Sequence, residues 1–94
     1  MEIGLHATLR RAAGRPAVTV DTPPGSTVGD ALRALVAKHP ALGPAVFDPA
    51  GALVGHVAVV LDGRDIRHGD GLDTPITDAQ HLDVFPPVGG GSGG

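Results

Sequence analysis

The chain closes on Phe85-Pro86-Pro87-Val88-Gly89-Gly90-Gly91-Ser92-Gly93-Gly94, so five of its fifteen glycines fall in the last six residues. A carboxylate carried on a di-glycine is a chemical handle of a particular kind. Glycine has no Cβ, so Gly89, Gly90, Gly91, Gly93 and Gly94 can be threaded, extended, into a channel too narrow for other residues. Stretched out, residues 89–94 span roughly 20 Å at about 3.3–3.6 Å per residue. That length delivers the Gly94 carboxylate well clear of a folded body. The plain alternative is a passive tail or an appended linker, since GGGSGG has linker composition.

The other residue types narrow what else the chain can do. With 94 residues it has room for one domain and one modest core. Only two aromatics, Phe47 and Phe85, are present, so Val, Leu, Ile and Ala must fill that core. There is no cysteine, which excludes a disulfide framework, a thiolate metal site and a Cys nucleophile. Any sulfur chemistry must therefore use sulfur carried elsewhere than on a side-chain thiol. A net charge of −3 argues against nucleic-acid binding, which needs clustered cations and stacking aromatics. No signal peptide and no 18-residue apolar run appear, so a cytoplasmic protein without membrane contact is expected. The five histidines, His6, His39, His56, His68 and His81, show no ligand spacing, so no metal or catalytic role is expected for them. Gly69-Asp70-Gly71-Leu72-Asp73 lacks the acidic ligands of a calcium loop and reads as a turn. The tail glycines precede no helix and so form no phosphate-binding loop. Arg10, Arg11, Arg64 and Arg67 read as solvated loop residues, with steering of an acidic partner as the alternative.

The elements that would carry the tail follow from periodicity. Glu2–Leu9 alternates, with Ile3, Leu5, Ala7 and Leu9 on one face and Glu2, His6 and Thr8 on the other, which predicts a half-buried strand. Arg10–Arg15 reads as a hairpin loop, and Ala17–Asp21 as the returning strand with Val18 and Val20 inward. Thr27 opens a helix with Asp30 as its capping-box partner. Val28, Ala31, Leu32, Leu35 and Val36 make one apolar stripe, and Pro40 stops the helix after His39. Ala41–Phe47 adds a short turn with Phe47 against the core, and Asp48-Pro49-Ala50-Gly51 is a further turn. His56–Leu61 is apolar on both faces and is expected at a central position in the sheet. Asp62-Gly63 makes a tight turn into Arg64-Asp65-Ile66, and His81–Phe85 is the last strand, with Leu82 and Val84 inward. The result is a two-layer α+β fold: a mixed sheet of four to five strands, one main crossing helix, and a flexible C-terminal glycine tail. This is the β-grasp, ubiquitin-like arrangement, with a domain over 1–88 and the tail over 89–94. Phe85 alternates outward, and with Val60, Pro86 and Pro87 is expected to form an exposed partner-docking patch; the alternative is that Phe85 packs under the tail or the N-terminal strand.

Three stretches carry a family resemblance. They are Val57-Ala58-Val59-Val60-Leu61-Asp62-Gly63-Arg64-Asp65-Ile66-Arg67, then Gly71-Leu72-Asp73-Thr74-Pro75-Ile76-Thr77-Asp78, and then Leu82-Asp83-Val84-Phe85-Pro86-Pro87-Val88 with its glycines. Together with the Thr27-Val28-Gly29-Asp30-Ala31-Leu32 helix start, they resemble the MoaD/ThiS family of ubiquitin-like sulfur carriers over residues 1–91. The GLDTP loop leans toward the cysteine-biosynthesis carriers and the ubiquitin-like small modifiers. The resemblance implies a carrier protein and not an enzyme, with no catalytic residue and no bound cofactor of its own. An E1-like adenylating partner of the MoeB/ThiF type would use ATP and Mg²⁺ to activate the terminal glycine, which then becomes a thiocarboxylate. The sulfur would pass to a partner of the cysteine synthase type or the molybdopterin synthase large-subunit type. Conjugation of the same glycine to lysines of other proteins is one alternative; a non-reactive binding domain is another. In the family register the usual terminus falls on Gly91, and Ser92-Gly93-Gly94 are extra. Either Gly94 reacts, or trimming first exposes Gly91, or the last three residues are an appended linker. Gly94 is taken as the reacting residue because a di-glycine is recovered there.

Overall fold

The computed structural model of the protein describes residues 1–87. The tail residues Gly89, Gly90, Gly91, Gly93 and Gly94, and the domain boundary at Val88, lie outside the described residues. The order of elements is β1 (Glu2–Leu5), α1 (Thr8–Ala13), β2 (Ala17–Thr19), α2 (Val28–Lys38), α3 (Gly43–Val46), β3 (Ala58–Leu61), β4 (Arg64–Asp65) and β5 (His81–Phe85), with short 3₁₀ turns at Pro40–Leu42, Ile66–His68 and Gly71–Asp73. The five strands form one mixed sheet in the order β2-β1-β5-β3-β4. β1 runs parallel to β5, with Ile3 opposite Leu82 and Leu5 opposite Val84. All other pairings are antiparallel.

The α2 helix forms where the sequence signals it. Thr27 Oγ1 accepts from the Asp30 N–H at 3.2 Å and Asp30 Oδ2 accepts from the Thr27 N–H at 3.0 Å, completing the capping box. The Thr27 amide, aided by the Arg33 guanidinium, holds the exposed Asp30 carboxyl below its ordinary range. Val28, Ala31, Leu32 and Leu35 are fully buried. They pack with Ile3, Leu5, Val59, Leu82 and Val84 of the sheet in one continuous core. The helix ends at Lys38, ahead of Pro40. Its start is laced to the loop expected at Gly69–Pro75: the Val28 N–H donates to the Thr74 carbonyl at 2.9 Å, and the Ile76 N–H to the Ser26 carbonyl at 3.1 Å.

Several boundaries differ from the sequence expectation. β1 stops at Leu5 instead of continuing to Leu9, and Thr8–Ala13 is a helix where a hairpin loop was expected. Ala7 turns the chain with φ 51°, and Leu-Arg-Arg-Ala-Ala has strong helix propensity. Gly14, left-handed at φ 75°, closes that helix by donating its N–H to the Arg10 carbonyl. Leu9 is still buried, but from a helical turn. β2 is shorter than expected, Ala17–Thr19, although Val20 stays buried and its N–H donates to the Met1 carbonyl. β3 begins at Ala58 rather than His56, and lies inside the sheet between β5 and β4 while β5 takes the centre. The Asp62-Gly63 turn has positive φ at both residues, 48° and 84°, the signature of a type I′ hairpin. β4 ends at Asp65, and Ile66 opens a 3₁₀ turn with its side chain buried.

Among the described residues no helix is long and apolar enough to cross a membrane. The central role of the α2 stripe has a measurable consequence. Leu32→Ala, which empties a fully buried site, is expected to cost about 2–5 kcal/mol of unfolding free energy in urea titrations. Arg33→Ala, one position along on the exposed face, should stay within about 0.5 kcal/mol.

Candidate functional site

Because α2 covers one face of the sheet, the other face is open, and alternation decides which side chains it carries. On β5 these are His81, Asp83 and Phe85; on β3 they are Ala58 and Val60; on β1 they are Glu2 and Gly4, with His6 just past the strand end. Phe85 stands opposite Ala58, and Asp83 opposite Val60. Phe85 is 38% exposed, the one large apolar side chain exposed among the described residues. Val60 and Pro86 are half-buried, and Pro87 is exposed. The four residues expected to dock a partner therefore lie on or next to one open face, at the end of β5 where the chain enters the Pro-Pro pair. The expected reacting residues, Gly94 and Gly91, lie outside the described residues.

The half of this face nearer β1 holds a group of polar side chains that the sequence reading did not assemble. Asp83 Oδ1 accepts a hydrogen bond from His6 Nε2 at 2.9 Å and a second from His81 Nε2 at 3.1 Å. A carboxylate can only accept, so both imidazoles carry a proton on Nε2. His81 Nδ1 lies 3.4 Å from Glu2 Oε1. Partial burial pushes the Asp83 carboxyl up, but the bonds from His6 and then His81 outweigh it and hold the group below the ordinary carboxylate range. The His6 ring also lies flat on the Phe85 ring, with centroids 4.2 Å apart and planes 10° from parallel. The space for this arrangement comes from Gly4, where a Cβ would sit 2.4 Å from Asp83 Oδ1. A signal for the group was available: Glu2, Gly4 and His6, and likewise His81, Asp83 and Phe85, recur at strand spacing. Only the parallel register of β1 on β5 brings the two sets together.

The remaining candidates separate cleanly. Arg67 is a structural strap, its guanidinium donating to the Val57 carbonyl and, at 3.1 Å, to the Val54 carbonyl. Arg10 donates to the Leu5 carbonyl at 3.4 Å from α1. Arg11 and Arg64 are exposed. Gly71–Asp73 is a 3₁₀ turn. Among the described residues no group of three or more His, Asp or Glu side chains is arranged to hold a metal.

A mixed five-stranded sheet with one main helix laid across it, β1 and β5 parallel at its centre, defines a β-grasp protein of the ubiquitin-like class. The chain belongs to the ThiS family, whose model matches residues 3–91. It is 42% identical over 91 residues to small archaeal modifier protein 1 of Haloferax volcanii, covering 97% of this chain and 100% of that protein. It is 30% identical over 69 residues to the sulfur carrier protein CysO of Mycobacterium tuberculosis, 71% of this chain and 74% of that one. The crystal structure of SAMP1 from Haloferax volcanii matches the fold with a TM-score of 0.88 at 42% identity, over 97% of this chain and 98% of that chain.

The hydrogen-bonded carboxylate makes an acid-limb prediction. Asp83 is depressed in the folded state, so its contribution to stability is complete above the unfolded value of about 3.9 and is lost as pH falls through the folded value. Carboxyl ¹³C NMR titration should place the Asp83 midpoint below that of an ordinary aspartate, and His6→Ala should move it upward. An unmoved midpoint would show that His6 does not hold the carboxylate.

Proposed function

We propose that this chain is a sulfur carrier whose C-terminal glycine is adenylated by an E1-like enzyme and converted to a thiocarboxylate. The observation that carries the reading is the family match, which runs the length of the fold and on into the glycines as far as residue 91. The chemistry suits the residues. A carboxylate is a poor electrophile because its charge is delocalised and its leaving group would be oxide. Attack of the Gly94 carboxylate on the α-phosphate of ATP, with Mg²⁺ held by the partner, releases pyrophosphate and leaves an acyl-adenylate. Hydrosulfide then adds to the acyl carbon, AMP departs, and a thiocarboxylate remains. Its sulfur is a soft nucleophile tethered to a folded carrier, which raises its effective concentration in the acceptor's site and keeps free sulfide from diffusing away. With no cysteine in the chain, a carried sulfur has to sit on a group other than a side-chain thiol, and the terminal carboxylate is such a group.

The general acids and bases belong to the partners, and the carrier acts as a co-substrate. The name of CysO supports delivery to an enzyme of the cysteine synthase type. An acceptor of the molybdopterin synthase large-subunit type is the second candidate. The end-to-end match to a small archaeal modifier protein favours a second reading, conjugation of the same glycine to lysines of other proteins. Both readings share the adenylate, so one terminus can serve both.

The test is intact mass spectrometry after incubation with the E1-like enzyme of the same genome, ATP and sulfide. The expected result is a gain equal to the difference between one sulfur and one oxygen. An unchanged mass would overturn the carrier reading. Chains ending at Gly91 and at Val88 locate the reacting residue: gain in the first and none in the second assigns Gly91 as a competent terminus, whereas gain only in the full chain assigns Gly94. Glycine remnants on lysines of other proteins would establish the modifier reading.

A further inference from the structure

We propose that Asp83, seated over Gly4, is a positioning residue: through His6 it holds the Phe85 ring in place as the anchor on which the adenylating partner docks. The proposal rests on the carrier reading and adds to it the residues that set the docking geometry. Its starting point is Gly4. This glycine does not adopt the left-handed backbone that would explain its presence in a strand, and strand interiors are weakened by glycine. What a side chain there would do is expel the Asp83 carboxylate, since its Cβ would lie 2.4 Å from Oδ1. The missing side chain serves the carboxylate.

Asp83 in turn lies on the open face, where it fills no core. Its two bonds fix the His6 and His81 rings on either side of it, at 2.9 and 3.1 Å. His6 then stacks on Phe85 at 4.2 Å. An exposed phenylalanine left to itself samples several rotamers and must give them up on docking. One already braced from the side binds at a smaller entropic cost. The bracing comes from the β1 side, so the opposite side of the ring continues toward Ala58, its cross-strand partner, and Val60, the diagonal neighbour. An aromatic anchor beside a small apolar surface suits a pocket in another protein. Asp83, two residues before Phe85 on β5, and Asp65, opposite Val60 on β4, set carboxylates on the same face, which suits a pocket rimmed by arginine or lysine.

Chain length limits the partner to an enzyme that handles the terminus. Residues 88–94 extend no more than about 25 Å from Pro87. An enzyme that receives the Gly94 carboxylate must therefore sit close to the end of β5, where Phe85 stands. In the proposed reaction sequence activation of the carboxylate precedes sulfur transfer, so the adenylating enzyme is the first partner to need this anchor.

The experiment measures ATP–pyrophosphate exchange by the E1-like enzyme of the same genome, with the full-length carrier as varied substrate. Asp83→Ala and His6→Ala are each expected to raise KM for the carrier roughly three- to tenfold, the equivalent of freeing one side chain that docking must then immobilise, with kcat unchanged. Asp83→Asn keeps an acceptor oxygen for His6 and should recover most of the loss. In the same proteins, NMR should show the His6 ring protons shifted upfield by the stacked Phe85. That shift should disappear in Phe85→Leu and in Asp83→Ala. Unchanged KM in Asp83→Ala, a loss confined to kcat, or His6 signals identical in wild type and Phe85→Leu would each overturn the proposal. A wild-type chain that supports no exchange at all would instead sink the carrier reading, and this proposal with it.

Discussion

The parallel pairing of β1 with β5 is the constraint from which the rest of the structure follows. It joins the first strand to the last, Ile3 to Leu82 and Leu5 to Val84. Two parallel strands cannot be joined by a tight turn, so the chain between them must cross over and return. The crossover supplies α2, whose stripe of Val28, Ala31, Leu32 and Leu35 covers the inward face of both strands. Once that face is covered, the other is left open. Because β5 is central, flanked by β1 and β3, its outward residues are framed by neighbours on both sides. The chain then leaves the middle of the sheet at Phe85 and enters the Pro-Pro pair.

The same pairing builds the polar group of the open face. Asp83 comes to lie beside Gly4, and His81 beside Glu2, through register alone. A shift of one residue would turn each side chain to the other face and bury the carboxylates. The apolar residues Ile3, Leu5, Leu82 and Val84 hold the register, since all four are within 1% of complete burial. The core and the open face are thus two results of one alignment: hydrophobic burial fixes the register, and the register places the carboxylate between two imidazoles.

Elements with strong local signals were legible in the residues. The Thr27–Asp30 capping box, the apolar stripe and Pro40 marked α2 with nearly correct bounds. Asp62-Gly63 marked its hairpin, because few residues other than glycine, asparagine and aspartate accept positive φ in succession. α1 was misread because Leu9 continues the alternation of Ile3, Leu5 and Ala7, and a buried leucine satisfies either period. The Leu-Arg-Arg-Ala-Ala run and the glycine after it were the competing signal. On the open face the outward direction of Phe85 was readable from Leu82 and Val84. Its stacking on His6 was not, because the two residues are 79 positions apart and no local pattern links them.

By itself, then, the amino-acid sequence determined the number of layers, the main helix, the last strand and the glycine-rich run that follows it. Each of these is written in short-range preferences of backbone and side chain. Tertiary structure alone decided that β5 lies beside β1, that Gly4 makes room for Asp83, and that His6 meets Phe85. Those contacts join the two ends of the chain. They exist only when burial of the shared core has aligned the strands, and no window of neighbouring residues contains both partners.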